Sequence, residues 1–109
     1  MNLNGRWLVK PQSKKWLGLV RRTTLMDVIM SGLGRNVKII KDGSGYNISD
    51  KRGTWGVFDI SARGPNECEF VYRDGLVVDY VERVTDDYLT GEFYLFGVKI
   101  GEFTMKREK

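Results

Sequence analysis

The chain has 109 residues, with 18 Lys and Arg against 14 Asp and Glu, one Cys and no His. Without His, Ser-His-Asp and Cys-His catalysis, His metal ligands and an imidazole proton switch are excluded. A single Cys can form neither an internal disulfide nor a Cys-based zinc site. We therefore expect one domain, 1–109, that has no cofactor or metal ion.

The charge is divided unevenly along the chain. Residues 1–52 carry 11 basic and 3 acidic side chains, whereas residues 53–109 carry 7 basic and 11 acidic ones. Such an asymmetry indicates an anionic partner for the first half. The beginning of the chain lacks the pattern of a secretory signal, and no apolar run is long enough to span a bilayer, so a cytoplasmic protein is expected.

The first element is a short strand, followed by a stretch with helical spacing. Residues 5–10 predict a strand that ends before Pro11, which cannot donate to a sheet ladder. Over about 13–34 the apolar residues recur three or four positions apart, which predicts a pair of short helices joined near 21–24. The stripe predicted for this pair contains Trp16, Leu17, Val20, Leu25, Met26, Ile29 and Met30.

From Asn36 onward the pattern alternates and short turns punctuate it. Strands are predicted at 37–41, 46–51, 54–61, 67–73, 76–84, 88–96 and 98–107. Their connections are short, which requires antiparallel neighbours. With the first strand, the sequence predicts a mainly β fold: an antiparallel up-and-down β-barrel of about eight strands with a short helical pair after the first strand.

The faces of two late strands differ in character. In 88–96 one face is purely apolar, with Leu89, Gly91, Phe93 and Leu95, and is expected to face the core. Both faces of 76–84 are mixed, and register alone decides which of them points inward.

A family resemblance rests on both ends of the chain. Asn4-Gly5-Arg6-Trp7 resembles the Gly-x-Trp of the calycin superfamily, in which a basic residue near the end, here Arg107 or Lys106, packs on the Trp. The element order is most similar to the intracellular fatty-acid-binding proteins. The resemblance implies a ligand-binding barrel under a helical lid. The positions that match the family's carboxylate-binding arginines hold Tyr72 and Met105, so the barrel resembles the family better than the headgroup site does. Trp7 is expected to plug one end.

Candidate ligand contacts come from the lid and from the strands. Trp16, Leu17, Val20, Met26 and Met30 are predicted to roof an apolar cavity, and the alternative is the core face of a packed lid. For polar contacts the sequence offers Tyr72, Tyr80, Arg83 and Tyr94, and the alternative is that they are exposed strand residues.

A basic cluster, containing Lys10, Lys14, Lys15, Arg21 and Arg22, precedes the first acidic residue, Asp27. It is predicted to dock an anionic membrane surface or an acidic protein, and the alternative is an ordinary solvated face.

Two functions remain open at this point. The leading hypothesis is non-enzymatic binding of a small apolar or amphipathic, lipid-like ligand inside the lidded barrel. The alternative is an interaction module with a packed barrel and no small ligand, acting through a homodimer or a protein partner. Nucleic-acid binding is disfavoured because the later half is acidic. An enzyme is disfavoured because no spacing assembles a nucleophile and a base.

Overall fold

The computed structural model describes residues 1–12, 15–16, 20–21 and 34–108, and within them the secondary structure is entirely β. The strands are β1 Gly5–Gln12, β2 Lys15–Trp16, β3 Val20–Arg21, β4 Asn36–Lys41, β5 Ser44–Ser49, β6 Gly53–Ala62, β7 Glu67–Tyr72, β8 Val77–Thr85, β9 Tyr88–Leu95 and β10 Val98–Glu108.

Eight of these strands close into one barrel, in the order β1-β10-β9-β8-β7-β6-β5-β4. Every pair is antiparallel, and β1 closes the barrel by pairing with both β10 and β4. Each predicted strand from 37 onward has its counterpart, displaced by two residues or fewer at either end. The prediction of an eight-stranded antiparallel barrel is therefore confirmed.

The predicted helical pair is wrong. Within 13–33 the structure describes β2 and β3, which pair antiparallel through Lys15 with Arg21 and Trp16 with Val20. The reason lies in the spacing: two residues four apart share a helix face, but they also face each other across a three-residue hairpin connection. The second predicted helix, at 24–33, lies outside the described residues. No helix in the described ranges is long and apolar enough to cross a bilayer.

The first strand also continues past the predicted stop at Pro11. Pro11 is the partner of Phe103 on β10, whereas the pairing of β1 with β4 ends at Val9. At Pro11 the strand thus has one neighbour instead of two, an edge-like position where a missing N–H is tolerated.

One end of the barrel, which we call the sealed end, is closed by Trp7. Its indole Nε1 donates to the carbonyl of Leu3 at 2.8 Å, and both side chains are buried. The Arg107 guanidinium lies 4.3 Å from the ring centroid and donates to the carbonyls of Asn2 and Asn4 and to the Asp87 carboxylate. The cation that the resemblance placed on Trp7 is therefore Arg107.

The interior next to the sealed end is filled by large side chains. Those with essentially no exposed surface include Trp7, Phe58, Phe70, Leu89, Phe103 and Met105. Phe58 and Phe70 stack with ring centroids 4.7 Å apart. A Cβ on Gly91 would lie 2.3 Å from the Phe103 ring, so only glycine fits there. The apolar face of β9 points inward as predicted, with Leu89 buried and Phe93 packed on the core.

Candidate functional site

A polar cluster lies inside the barrel, formed by Lys38, Asn47, Tyr72 and Asp79. Register explains why these residues point inward. Lys38 is the direct partner of Trp7 on β1 and of Asn47 on β5. Residues directly opposite each other in a sheet share a face, and Trp7 is in the core. Tyr72 faces Phe58 in the same way, and Asp79 faces Phe70.

The cluster is closely hydrogen-bonded. Lys38 Nζ donates to Asn47 Oδ1 at 2.7 Å and to the Tyr72 hydroxyl at 2.5 Å, and it lies 3.4 Å from Asp79 Oδ2. The Tyr72 hydroxyl donates to Asp79 Oδ2 at 3.1 Å. Asn47 Nδ2 donates to the Gly56 carbonyl at 3.1 Å. Within the part of the chain that the structure describes, the ammonium therefore has three polar neighbours, while Asp79 Oδ1 has no hydrogen-bond partner.

Gly56 makes room for this cluster. It has a φ of +61°, and a Cβ there would lie 2.8 Å from the Tyr72 ring and 2.9 Å from Asn47 Nδ2. The β5–β6 register shifts between Gly45 and Asn47, which marks a bulge on β6 beside the cluster. At the bulge the Gly56 carbonyl is oriented so that it accepts a hydrogen bond from Asn47 Nδ2.

Aromatic rings surround the Lys38 ammonium. Its Nζ lies 5.0 Å from the ring centroid of Phe58, 5.2 Å from that of Tyr72 and 5.9 Å from those of Phe70 and Phe103. Ring faces attract a cation, and the attraction grows when water is excluded. The buried charge is thus balanced by one carboxylate and by the faces of aromatic rings.

Burial shifts the pKa of each titratable group in the cluster away from the charged form. Desolvation lowers the pKa of Lys38, against the opposing attraction of Asp79. Desolvation raises the pKa of Asp79, against the opposing effects of Lys38 and Tyr72. The pKa of Tyr72 lies well above its ordinary value, first through desolvation and then through the neighbouring charge of Asp79.

A lysine with a lowered pKa is the kind that forms Schiff bases, but Lys38 is not placed for that chemistry. Its Nζ is enclosed by Asn47, Tyr72 and Asp79, and the side chain is buried. A substrate carbonyl would have to displace those partners to reach it. The geometry indicates that the cluster holds the strands in register and forms a floor across the barrel.

The end opposite the sealed end, which we call the mouth, is bounded by the turns at 50–52, 73–76 and 96–97. Four inward-facing apolar side chains there are only partly buried, and they are Trp55, Val77, Phe93 and Ile100. Two buried polar atoms, Trp55 Nε1 and Asn36 Oδ1, have no hydrogen-bond partner among the described residues. The mouth therefore combines an apolar lining with one unused donor and one unused acceptor.

A concavity lies on the outer surface of the sheet. It is an open groove of about 630 Å³ whose lining includes Arg63, Tyr80, Glu82, Glu92 and Tyr94. The rings of Tyr80 and Tyr94 meet edge to face at 5.0 Å. The groove is lined in part by glutamates, and Lys99 Nζ lies 2.7 Å from the carboxylate of Glu92. A second basic group, the Arg63 guanidinium, lies 5.6 Å from the Tyr80 ring centroid.

The four polar residues predicted from the strands are not brought together. Tyr72 lies in the interior cluster, whereas Tyr80 and Tyr94 line the outer groove. Arg83 lies at the sealed end, where it donates to Asn66 at 3.0 Å and pairs with Asp86.

Most of the predicted lid and docking residues fall where side chains are not described. Lys10 is exposed on β1. Trp16, Val20, Lys15 and Arg21 are described only as backbone, in β2 and β3. Leu17, Met26, Met30, Lys14 and Arg22 lie outside the described residues.

The sequence interpretation missed Lys38, Asn47 and Asp79. Both faces of β4 carry apolar residues, with Val37 and Ile39 on one face and Ile40 on the face of Lys38. The pattern therefore did not indicate which face points inward. Asp79 alternates with Val77 and Val81, which was a usable signal, since two β-branched neighbours on its face favour an inward orientation. Among the described residues, no group of His, Cys, Asp or Glu is arranged to hold a metal ion.

No protein-family model matches the chain, and no curated protein or solved structure matches it either. The closed eight-stranded barrel is compatible with a calycin fold.

Proposed function

We propose that the chain is a non-enzymatic, calycin-like binding protein whose barrel mouth takes a small apolar or amphipathic ligand. The observation that carries the proposal is the contrast between the two ends. Trp7, Leu3 and Arg107 close one end, while the inward-facing apolar side chains at the other end keep exposed surface. Burial of apolar surface at such a mouth would supply most of the affinity.

The floor of the mouth suggests what the polar end of the ligand is. Trp55 Nε1 offers a donor, and Asn36 Oδ1 offers an acceptor. In the polar cluster the Lys38 ammonium is already paired with Asp79, which leaves no unpaired positive charge there to hold a carboxylate. Together with Tyr72 and Met105 at the positions of the family's arginines, this favours an uncharged polar end, such as a hydroxyl or an amide, over a fatty-acid carboxylate. A cytoplasmic location stays a prediction.

The proposal is tested by extracting the purified protein with organic solvent and identifying co-purified lipid by mass spectrometry. In parallel, the protein is titrated with the neutral fluorophore N-phenyl-1-naphthylamine. Ile100→Asn is expected to abolish fluorophore binding because it places an amide in the apolar lining. Val84→Asn is the matched control, since Val84 is exposed on β8 away from the mouth. Absence of both lipid and fluorophore binding in the unmodified protein overturns the proposal.

A second candidate is an interaction module with no small ligand, acting through a homodimer or a protein partner. It is favoured by the filling of the lower barrel, where Phe58, Phe70 and Phe103 have essentially no exposed surface. Such packing gives rigidity and leaves no space for a ligand below the polar cluster. A dimer in sedimentation equilibrium, together with no fluorophore binding, would favour this candidate over the first.

A further inference from the structure

Two turns of the barrel have the same backbone geometry but different residues. Asp42-Gly43, at the sealed end, has φ values of +52° and +84°, and Phe96-Gly97, at the mouth, has +51° and +77°. Two successive residues with positive φ form the tight hairpin turn that favours Asn-Gly and Asp-Gly. A bulky aromatic residue with positive φ is an outlier. The mouth turn therefore holds a residue that its backbone disfavours.

The disfavoured residue is also the most exposed large apolar side chain of the described part of the protein. Phe96 is 70% exposed, Val98 61% and Leu76 43%. Leu76 belongs to the neighbouring turn, and its carbonyl accepts the Phe96 amide at 2.9 Å. The two turns are thus joined into one tip with three apolar side chains in solvent. Strain at an exposed apolar position points to a function that compensates for it.

We propose that this tip, formed by Leu76, Phe96 and Val98, inserts into the surface of an anionic lipid bilayer. An aromatic ring and two aliphatic side chains on a protruding turn can enter the boundary between headgroups and acyl chains. Phe96 and Leu76 belong to the turns at the rim, whereas Val98, the cross-strand partner of Leu95, lies on the inward face of β10 at the rim with most of its surface exposed. The proposal does not require a ligand in the mouth.

The charge at the two ends of the barrel sets the orientation on such a surface. The connections at the mouth carry Arg35, Lys51, Arg52 and Arg73 against Asp50 and Asp74. At the sealed end, Arg63, Arg83 and Arg107 are matched by Asp42, Asp86 and Asp87, so the mouth is the more basic of the two ends. Two of the mouth bases, Arg35 and Arg73, form ion pairs with Glu108 and Asp59, so the attraction to lipid headgroups rests mainly on the exposed Lys51 and Arg52. Basic residues near an anionic leaflet are attracted to it, so the mouth would face the membrane.

The small size of the tip distinguishes a bilayer from a protein partner. A stable protein interface buries about 800 Å² on each side. Three side chains on two adjoining turns provide far less than that, and insertion into a bilayer does not require a complementary protein surface. A second copy of the chain is therefore the disfavoured occupant.

The test uses flotation of the full chain with phosphatidylcholine vesicles that contain phosphatidylserine, and thermal unfolding of the same samples without lipid. Phe96→Asn is expected to lower vesicle binding about tenfold or more, because it removes the aromatic ring that enters the bilayer. The same change is expected to raise Tm by about 5 °C, since Asn accepts positive φ. Loss of binding together with a gain in stability cannot come from misfolding.

Controls and outcomes follow from the same geometry. Val84→Asn, at an exposed apolar site on β8, is expected to leave flotation unchanged. Omitting phosphatidylserine or adding salt is expected to weaken binding. Vesicle binding that is absent in the unmodified protein, or unchanged in Phe96→Asn, overturns the proposal. A concentration-dependent dimer that Phe96→Asn abolishes would also overturn it, in favour of a second copy.

Discussion

The sealed end and the mouth are built from similar residues that are used in opposite ways. Each has a tryptophan with a nearby arginine: Trp7 beneath Arg107 at 4.3 Å, and Trp55 with Arg52 at 5.6 Å. Trp7 is fully buried and its Nε1 donates to the Leu3 carbonyl, whereas Trp55 is only partly buried and its Nε1 has no hydrogen-bond partner in residues 1–12 and 34–108. This difference indicates that stabilising contacts are concentrated at the sealed end and exposed apolar surface at the mouth.

The largest expected effect is at the sealed end. Trp7→Ala should lower the free energy of unfolding by about 3–5 kcal/mol, because it empties the end of the barrel and leaves Arg107 without its ring. Trp55→Ala, the matched variant at the mouth, should cost well under half of that, since its ring is partly exposed and no described residue accepts a hydrogen bond from its N–H. Urea unfolding followed by circular dichroism measures both. Equal costs would refute the contrast between the ends.

The floor between the two ends is expected to be sensitive to a single change. Asp79→Asn should cost about 3 kcal/mol, because it leaves the Lys38 ammonium buried without its carboxylate. The double variant Lys38→Met with Asp79→Leu should recover most of that loss, since neither charge then remains to be desolvated. A double-mutant cycle in urea measures the coupling. If the double variant loses as much unfolding free energy as the two single variants added together, Lys38 and Asp79 do not act as a unit.

The packed interior is probed by a glycine substitution. Gly91→Ala should cost about 1–3 kcal/mol, because its Cβ would overlap the buried Phe103 ring. Gly64→Ala is the control, since a Cβ there has nothing within 4 Å and its φ is not in the positive range. That variant should change the unfolding free energy by about 0.5 kcal/mol or less. A tolerated Gly91→Ala would indicate an interior looser than the contacts imply.

The smallest expected effect is a pH dependence. Burial raises the pKa of Cys68 to about 11. Above its ordinary pKa the unfolded chain loses this proton first, so stability falls as the pH rises towards the folded value. Between about pH 8 and about pH 10 the loss amounts to about 1 kcal/mol.

Comparison with Cys68→Ala isolates this contribution, because the shifted pKa values of Lys38 and Tyr72 act in both proteins. The stability difference between the unmodified protein and the variant should shrink by that amount over the same range of pH. Urea unfolding at each pH measures it. A constant difference would show that the thiol titrates normally.

The sequence predicts the barrel well because two independent signals agree. Strands such as β9 alternate between apolar and polar residues, and turns such as Asp42-Gly43 favour positive φ. The helical prediction failed because a spacing of four residues fits both a helix face and a cross-strand pair. Trp16 and Val20 have this spacing, and they are cross-strand partners. The polar cluster was missed because the register and the bulge at Gly56 decide which face of β4 and β8 is inside. Neither feature can be seen from local composition.

Closure of the barrel through β1 and β10 also has a consequence for folding order. Trp7 pairs with Arg107 across that seam, so two strands at opposite ends of the barrel sequence must meet. Contacts between residues so far apart form slowly, because the chain between them must first be brought together. During synthesis, β10 emerges after every other strand of the barrel, and until it pairs, β1 and β9 both present open edges. A ribosome pausing before β10 would therefore hold an aggregation-prone open sheet, which a chaperone that covers strand edges could protect.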